Sequence, residues 1–157
     1  MPASHARFGT DLRLLRDLEH VKSNRDPGND LSVIKRPETG KVDLETLTGA
    51  DNLIQALLLR FLTPVGELAV LGHPDYGSRL AELIGELNTE TNRNRAKLYV
   101  LQALAAEPRV KKVLSIQVTQ NRTAPTQIDI NVKLLSIDSD TPLNLVFPFF
   151  FEGGVAP

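Results

Sequence analysis

Leu53-Ile54-Gln55-Ala56-Leu57-Leu58-Leu59-Arg60-Phe61-Leu62-Thr63-Pro64-Val65-Gly66-Glu67-Leu68 is the stretch that decides the fold. From Leu53 to Leu62 the only polar side chains are Gln55 and Arg60. A helix this apolar belongs inside a core or beneath a partner. Thr48, Asp51 and Asn52 offer caps, so the helix is expected over about Asp51 to Leu62. Pro64 restricts Thr63 and Gly66 tolerates positive φ, so the helix stops there and a rigid turn follows.

C-terminal to it, Gly72-His73-Pro74-Asp75-Tyr76-Gly77 makes a second rigid turn. Pro64, Gly66, Pro74, Asp75 and Gly77 are therefore read as structural turn residues. Ser78 stands where it can cap a short helix carrying Leu80, Leu83, Ile84 and Leu87. Thr89 or Thr91 opens a further helix to about residue 106, with Leu98, Leu101, Leu104 and Ala105 as its apolar stripe and Pro108 as its stop. Two strands with period two follow. Leu114, Ile116 and Val118 alternate with polar residues, as do Ile128, Ile130, Val132 and Leu134 after a hairpin loop at 121–125. Leu134-Leu135 breaks the phase, which fits a bulge or the end of the strand. A last strand places Leu143, Leu145, Phe147, Phe149 and Phe151 on one face, and Pro148 assigns it to a sheet edge.

N-terminal to the central stretch the signals are weaker. Residues 1–10 read as a flexible arm. Leu12, Leu14, Leu15 and Leu18 fit a helical turn or a strand equally well. Residues 23–30 form a polar, turn-rich loop, and short strands are expected near 31–35 and 41–44, broken by Pro37 and Gly40. The expected architecture is α+β: about three helices packed on a small, mostly antiparallel sheet, in one domain over 11–151 with a tail at 152–157.

Composition narrows the function. The chain has 157 residues, 18 basic and 19 acidic, with no cysteine. Thiolate metal sites and disulfides are excluded. The three histidines, His5, His20 and His73, lack paired spacing, so no metal site or cofactor is expected. Charge is balanced overall, which argues against nucleic acid as a partner. No apolar run approaches the roughly 20 residues a membrane span needs, so no membrane insertion is expected. Residues 1–10 carry no signal-peptide pattern, which fits synthesis in the cytoplasm.

Four pieces carry a family resemblance: Asn52-Leu53-Ile54-Gln55-Ala56-Leu57 with Arg60; Thr63-Pro64-Val65-Gly66-Glu67; Pro74-Asp75-Tyr76-Gly77-Ser78-Arg79-Leu80; and Glu107-Pro108-Arg109-Val110. In this order, followed by two strands, they resemble the lysozyme-like baseplate wedge family of contractile phage tails, type VI secretion baseplates and extracellular injection particles. The resemblance covers roughly residues 45–137. It implies a structural subunit without enzymatic activity, part of an assembled particle, that binds baseplate wedge proteins and initiates sheath assembly. The tail sheath protein is the second implied partner, with inner tube or hub proteins as further candidates. The wedge contact would fall on Glu107, Pro108 and Arg109 and on the surface of the helix at 90–106, and sheath pairing on the strands bearing Ile116, Val118, Ile128, Ile130 and Val132.

Other readings start from the same residues. A peptidoglycan-cleaving enzyme needs two carboxylates at a set separation. Glu67, Asp75, Glu86 and Glu107 qualify by residue type, but no spacing selects a pair, and a chain without tryptophan is poorly supplied for a sugar cleft. A regulatory adaptor of the same fold is a further alternative. Glu107 and Arg109 could also be no more than solvated charges flanking a helix stop. Phe147, Phe149, Phe150 and Phe151 hold four of the six phenylalanines. They either close the chain's own core or form an apolar contact for a neighbouring chain.

Overall fold

A computed structural model describes residues 8–14 and 31–152. Leu15, Leu18, the loop at 23–30 and residues 153–157 of the expected tail lie outside the described residues. So does most of the expected arm, residues 1–7.

Helix α1 runs over Gly49–Leu62 and helix α2 over Glu90–Ala105. Seven strands form three separate antiparallel sheets among the described residues. Strand β1 (Thr10–Leu12) pairs with β4 (Thr46–Thr48), and β2 (Val33–Lys35) with β3 (Val42–Leu44). Strands β5 (Val110–Gln120), β6 (Gln127–Ser136) and β7 (Leu143–Phe150) form the third sheet, with β6 in the middle.

This corrects the expected architecture of about three helices on one sheet. The helix anticipated after Ser78 is a four-residue 3-10 turn, Leu80–Leu83. Gly85 follows at φ +90°, a conformation that stops helix growth, and its N–H donates instead to the Phe151 carbonyl at 2.6 Å. The small N-terminal sheets stay separate because one extended run, residues 42–48, changes partner at Glu45. It pairs first with β2 and then with β1, and no strand partner is longer than three residues.

Helix α1 is covered, as its apolar content demands. Leu53, Leu57, Leu58 and Phe61 join the core with Val100 and Leu104 of α2, Ile130 and Val132 of β6, and Phe147 of β7. Its few polar residues reach specific partners. Asn52 donates to the Phe8 carbonyl at 2.6 Å, and Gln55 bonds the Leu12 carbonyl and the Leu14 N–H. Residues 8–10, expected in the flexible arm, are thus docked, and Phe8 is buried.

Helix α2 starts where Thr89 caps it, its hydroxyl accepting from the Asn92 N–H. Its buried face is shifted from the one expected, of which Leu104 alone is buried. Ala96, Tyr99, Val100, Ala103 and Leu104 face the core, while Leu98 and Leu101 are 50% and 43% exposed. Counting leucines selected the wrong stripe, because small Ala96 and Ala103 let α2 lie close against the core.

β6 ends at Ser136, so the strand end accounts for the phase break at Leu134-Leu135, and the bulges lie on β5. β6 keeps perfect alternation, with Ile128, Ile130, Val132, Leu134 and Ser136 all buried. The extra residues are Lys111 and Leu114 of β5, each skipped in the pairing. The second bulge turns Val113 toward the core and leaves Leu114 exposed.

β7 is an edge strand, where Pro148 is tolerated. The Phe151 N–H donates to the Thr126 carbonyl, so alternation turns the backbone groups of Leu145, Phe147 and Phe149 toward β6. Those of Asn144, Val146 and Pro148 point to the free edge.

The two turns hold one another. Ser78 donates its N–H to the Thr63 carbonyl at 2.8 Å and its hydroxyl to the Phe61 carbonyl at 2.7 Å, closing the C-terminus of α1. Gly77 sits at φ +115°, and a Cβ there would stand 2.5 Å from the Thr63 carbonyl oxygen. Gly77→Ala should therefore destabilise the protein by well over about 1 kcal/mol. Chemical denaturation checks this, with Gly66→Ala as the comparison. Gly66 also has positive φ but open space around it, so its loss should be the smaller.

Candidate functional site

Arg60, Tyr76, Glu107 and Arg109, from separate motif pieces, meet at one corner. α1 ends there, α2 hands over to β5, and the 63–66 and 74–78 turns lie across it. Glu107, 5% exposed, is at its centre. One carboxylate oxygen accepts from Arg60 Nη2 at 3.2 Å, and the other from Arg109 Nε at 2.6 Å. The Arg109 N–H approaches the same oxygen at 3.4 Å. The Arg60 guanidinium lies over the Tyr76 ring, 4.5 Å from its centroid, a cation–π contact. Three segments distant in sequence are joined by charge.

The geometry follows from local sequence. Pro108 cannot continue the helix, so the chain turns directly after Ala106 and the Glu107 side chain folds inward. Arg60 occupies the last turn of α1, where a cation suits the negative end of the helix dipole. Burial pushes the Glu107 carboxyl up. The Arg109 side-chain hydrogen bond and charge, its backbone N–H and the Arg60 charge outweigh this and hold the group below the ordinary carboxylate range. An ionised carboxylate fixed in this way is the opposite of a general acid, which must hold its proton near neutral pH.

The other expected site residues fall as follows. Pro108 is exposed and Arg109 half-buried, its two terminal nitrogens unbonded among the described residues. Pro64 and Gly77 meet across the turn pair, and Ser78 completes it. Gly66, Pro74 and Asp75 lie exposed on the same two turns, and Glu67 and Glu86 are exposed as well. Ile128, Ile130 and Val132 are wholly buried on the central strand, Ile116 is buried and Val118 partly so. None presents its side chain to a partner strand. The sheet's open backbone edges belong to β5 and β7.

Phe147 and Phe151 are buried in this chain's own core, with Phe147 stacked on Phe61 at 5.0 Å. Phe149 packs edge-on against Phe151 at 5.6 Å. Phe150 is half-exposed.

Two groups were missed in the sequence. Arg60 stands in the sequence as a polar interruption of an apolar helix and as one residue of the family resemblance, with no partner assigned to it, and that interruption is the signal. The second group is Tyr99 with Arg79, Glu82 and Arg95. Arg79 makes a forked bond to Glu82 at 2.7 and 2.8 Å, the Tyr99 hydroxyl donates to Glu82, and both arginines flank the Tyr99 ring. The three-residue spacing of Arg79 and Glu82 was its only trace in the sequence.

Comparison with known proteins places this fold. A crystal structure from Geobacter sulfurreducens, provisionally described as a tail lysozyme, superposes with a TM-score of 0.59 at 24% identity. The match covers 68% of this chain and 96% of that one. The two proteins share a fold. No family model matches this chain, and no curated protein matches it significantly.

Glu107→Gln should destabilise the fold by about 3 kcal/mol, because Arg60 would be left buried without its counter-charge. The sign with pH follows from the lowered carboxyl. Its contribution is complete above the unfolded value near 4.5 and disappears as pH falls through the lower folded value. Denaturant titrations from pH 7 to pH 3 should show a drop in the parent that the Gln variant largely lacks.

Proposed function

We propose that this protein is a structural baseplate subunit of a contractile injection machine. It docks on wedge proteins at the Arg109 corner and offers a strand edge from which the sheath starts. The observation that carries the reading is the corner itself. Arg60 and Arg109 close on Glu107, Tyr76 of a further motif piece lies against Arg60, and the forked terminal nitrogens of Arg109 stay available. Forked donors suit a partner carboxylate or backbone. Glu107 does not face outward in this reading, since both its oxygens are engaged internally. The tail association in the description of the Geobacter sulfurreducens protein supports the setting.

For strand addition, β7 is the better edge. β5 is bulged twice and carries Lys111 and Lys112, the usual guards of an edge. β7 pairs with β6 without a bulge, has no charged residue over Leu143–Phe150, and turns the backbone groups of Asn144 and Val146 outward. An incoming strand could bond there until Pro148, which lacks the donor.

The lysozyme reading has the relative's name in its favour and the chemistry of Glu107 against it. Purified protein is expected to leave a cell-wall suspension turbid. Clearing that depends on Glu67 or Glu107 would overturn the structural role.

Two substitutions test the assembly reading. Arg109→Lys keeps the charge but loses the fork, and should weaken binding to co-expressed wedge proteins at least tenfold while the protein remains folded. Val146→Pro removes an outward donor without touching the β6 ladder, and should abolish sheath nucleation in a polymerisation assay. Parent-like behaviour of both variants would rule the reading out.

A further inference from the structure

The exposed face of α2 carries a pattern that the core does not use. Thr91, Asn94, Leu98, Leu101 and Ala105 recur at alternating spacings of three and four, the seam of a coiled coil. All five are exposed, while Ala96, Tyr99, Val100, Ala103 and Leu104 cover the core from the opposite side. The apolar part of the seam occupies its C-terminal half. The chain around it is basic. From residue 90 to 112 there are six basic residues and two acidic ones, in a protein whose net charge is −1. Of the two acids, Glu107 is buried and neutralised and Glu90 is exposed; of the basic residues, Lys111 is already paired with Asp140 at 3.1 Å, which leaves Lys97, the Arg109 fork and Lys112.

We propose that this seam docks a helix of a partner protein, apolar on one face and acidic on its flanks. Lys97 borders the leucines on the helix itself, and Arg109 and Lys112 lie beyond its C-terminal end. Acidic flanks would meet this side, and basic ones would be repelled. Two half-exposed leucines and an alanine present far less than the roughly 800 Å² per partner of a stable interface, so the helix must belong to a protein held elsewhere as well. A second copy of this chain offers Lys97 no acidic partner when the leucines of the two copies meet, since residues 91–106 contain no acid, and in an antiparallel pair that brings Glu90 to Lys97 of the other copy Leu101 and Ala105 run past the end of the partner helix. The inference rests on the assembly reading above and adds the chemistry of one partner element.

The test uses the full chain and two synthetic helical peptides. Both carry leucine at the seam positions, one with glutamate flanks and the other with lysine flanks. In an NMR titration the glutamate peptide should shift the resonances of Leu98, Leu101 and Ala105 and bind at least tenfold more tightly than the lysine peptide. Added salt should narrow the difference. Leu98→Glu/Leu101→Glu, at exposed positions, should retain the parent melting temperature and lose the interaction. Equal binding of the two peptides, binding of neither, concentration-dependent dimerisation abolished by the double variant, or preference for a DNA duplex would each overturn the proposal. The peptide titration involves neither wedge nor sheath proteins. Loss of binding to those proteins in Arg109→Lys and of nucleation in Val146→Pro, beside peptides that fail, would sink this inference alone. Peptide discrimination with parent-like assembly in both variants would sink only the earlier reading.

Discussion

The Arg60–Glu107–Arg109 cluster fixes how the parts of this protein sit together. It ties the last turn of α1 to the end of α2 and the first residues of β5. Charges this far from water bring little net stability, because desolvation offsets most of their attraction. What they add is selectivity. An apolar helix can slide or rotate against a greasy surface at modest cost, whereas Arg60 must meet Glu107 or remain buried without a counter-charge. The turns at Thr63–Gly66 and Pro74–Ser78 serve the same end. Ser78 takes over the open carbonyls at the C-terminus of α1, and only glycine fits at position 77.

Around that anchor the core is conventional. β6 supplies a row of fully buried aliphatic side chains, α1 and α2 cover them, and β7 closes the remaining side with Phe147 and Phe151. The phenylalanine-rich strand therefore serves this chain first, and what it can offer a neighbour is its backbone edge. The same division holds for α2, whose small residues turn inward and whose leucines turn outward.

Much of this was legible in sequence, element by element. The end of α1 followed from Pro64 and Gly66, the start of α2 was narrowed to Thr89 or Thr91, and β6 followed from strict alternation. The edge position of β7 followed from Pro148. The misses share one cause. Periodicity counts apolar residues but cannot weigh their size, so the stripe of α2 was drawn through Leu98 and Leu101 instead of Ala96 and Ala103. Phase arguments do not choose between a bulge and a strand end at Leu134-Leu135, where β6 ends at Ser136, and do not find the bulges of β5 at Lys111 and Leu114. A third helix was expected from spacings of three and four, and a single glycine at positive φ reduced it to one 3-10 turn.

By itself, the sequence determined the local elements, the rigid turns and the residues that carry the charge of the corner, because these depend on neighbours a few positions away. It also marked Arg60 as anomalous without saying why. Tertiary structure alone decided that Glu107 faces inward to two arginines, and that β7 and the leucine face of α2 are the surfaces left open. Those outcomes depend on which segments meet across 40 or more positions of chain, as Arg60 and Glu107 do. Packing and desolvation select such meetings, and no local pattern records them.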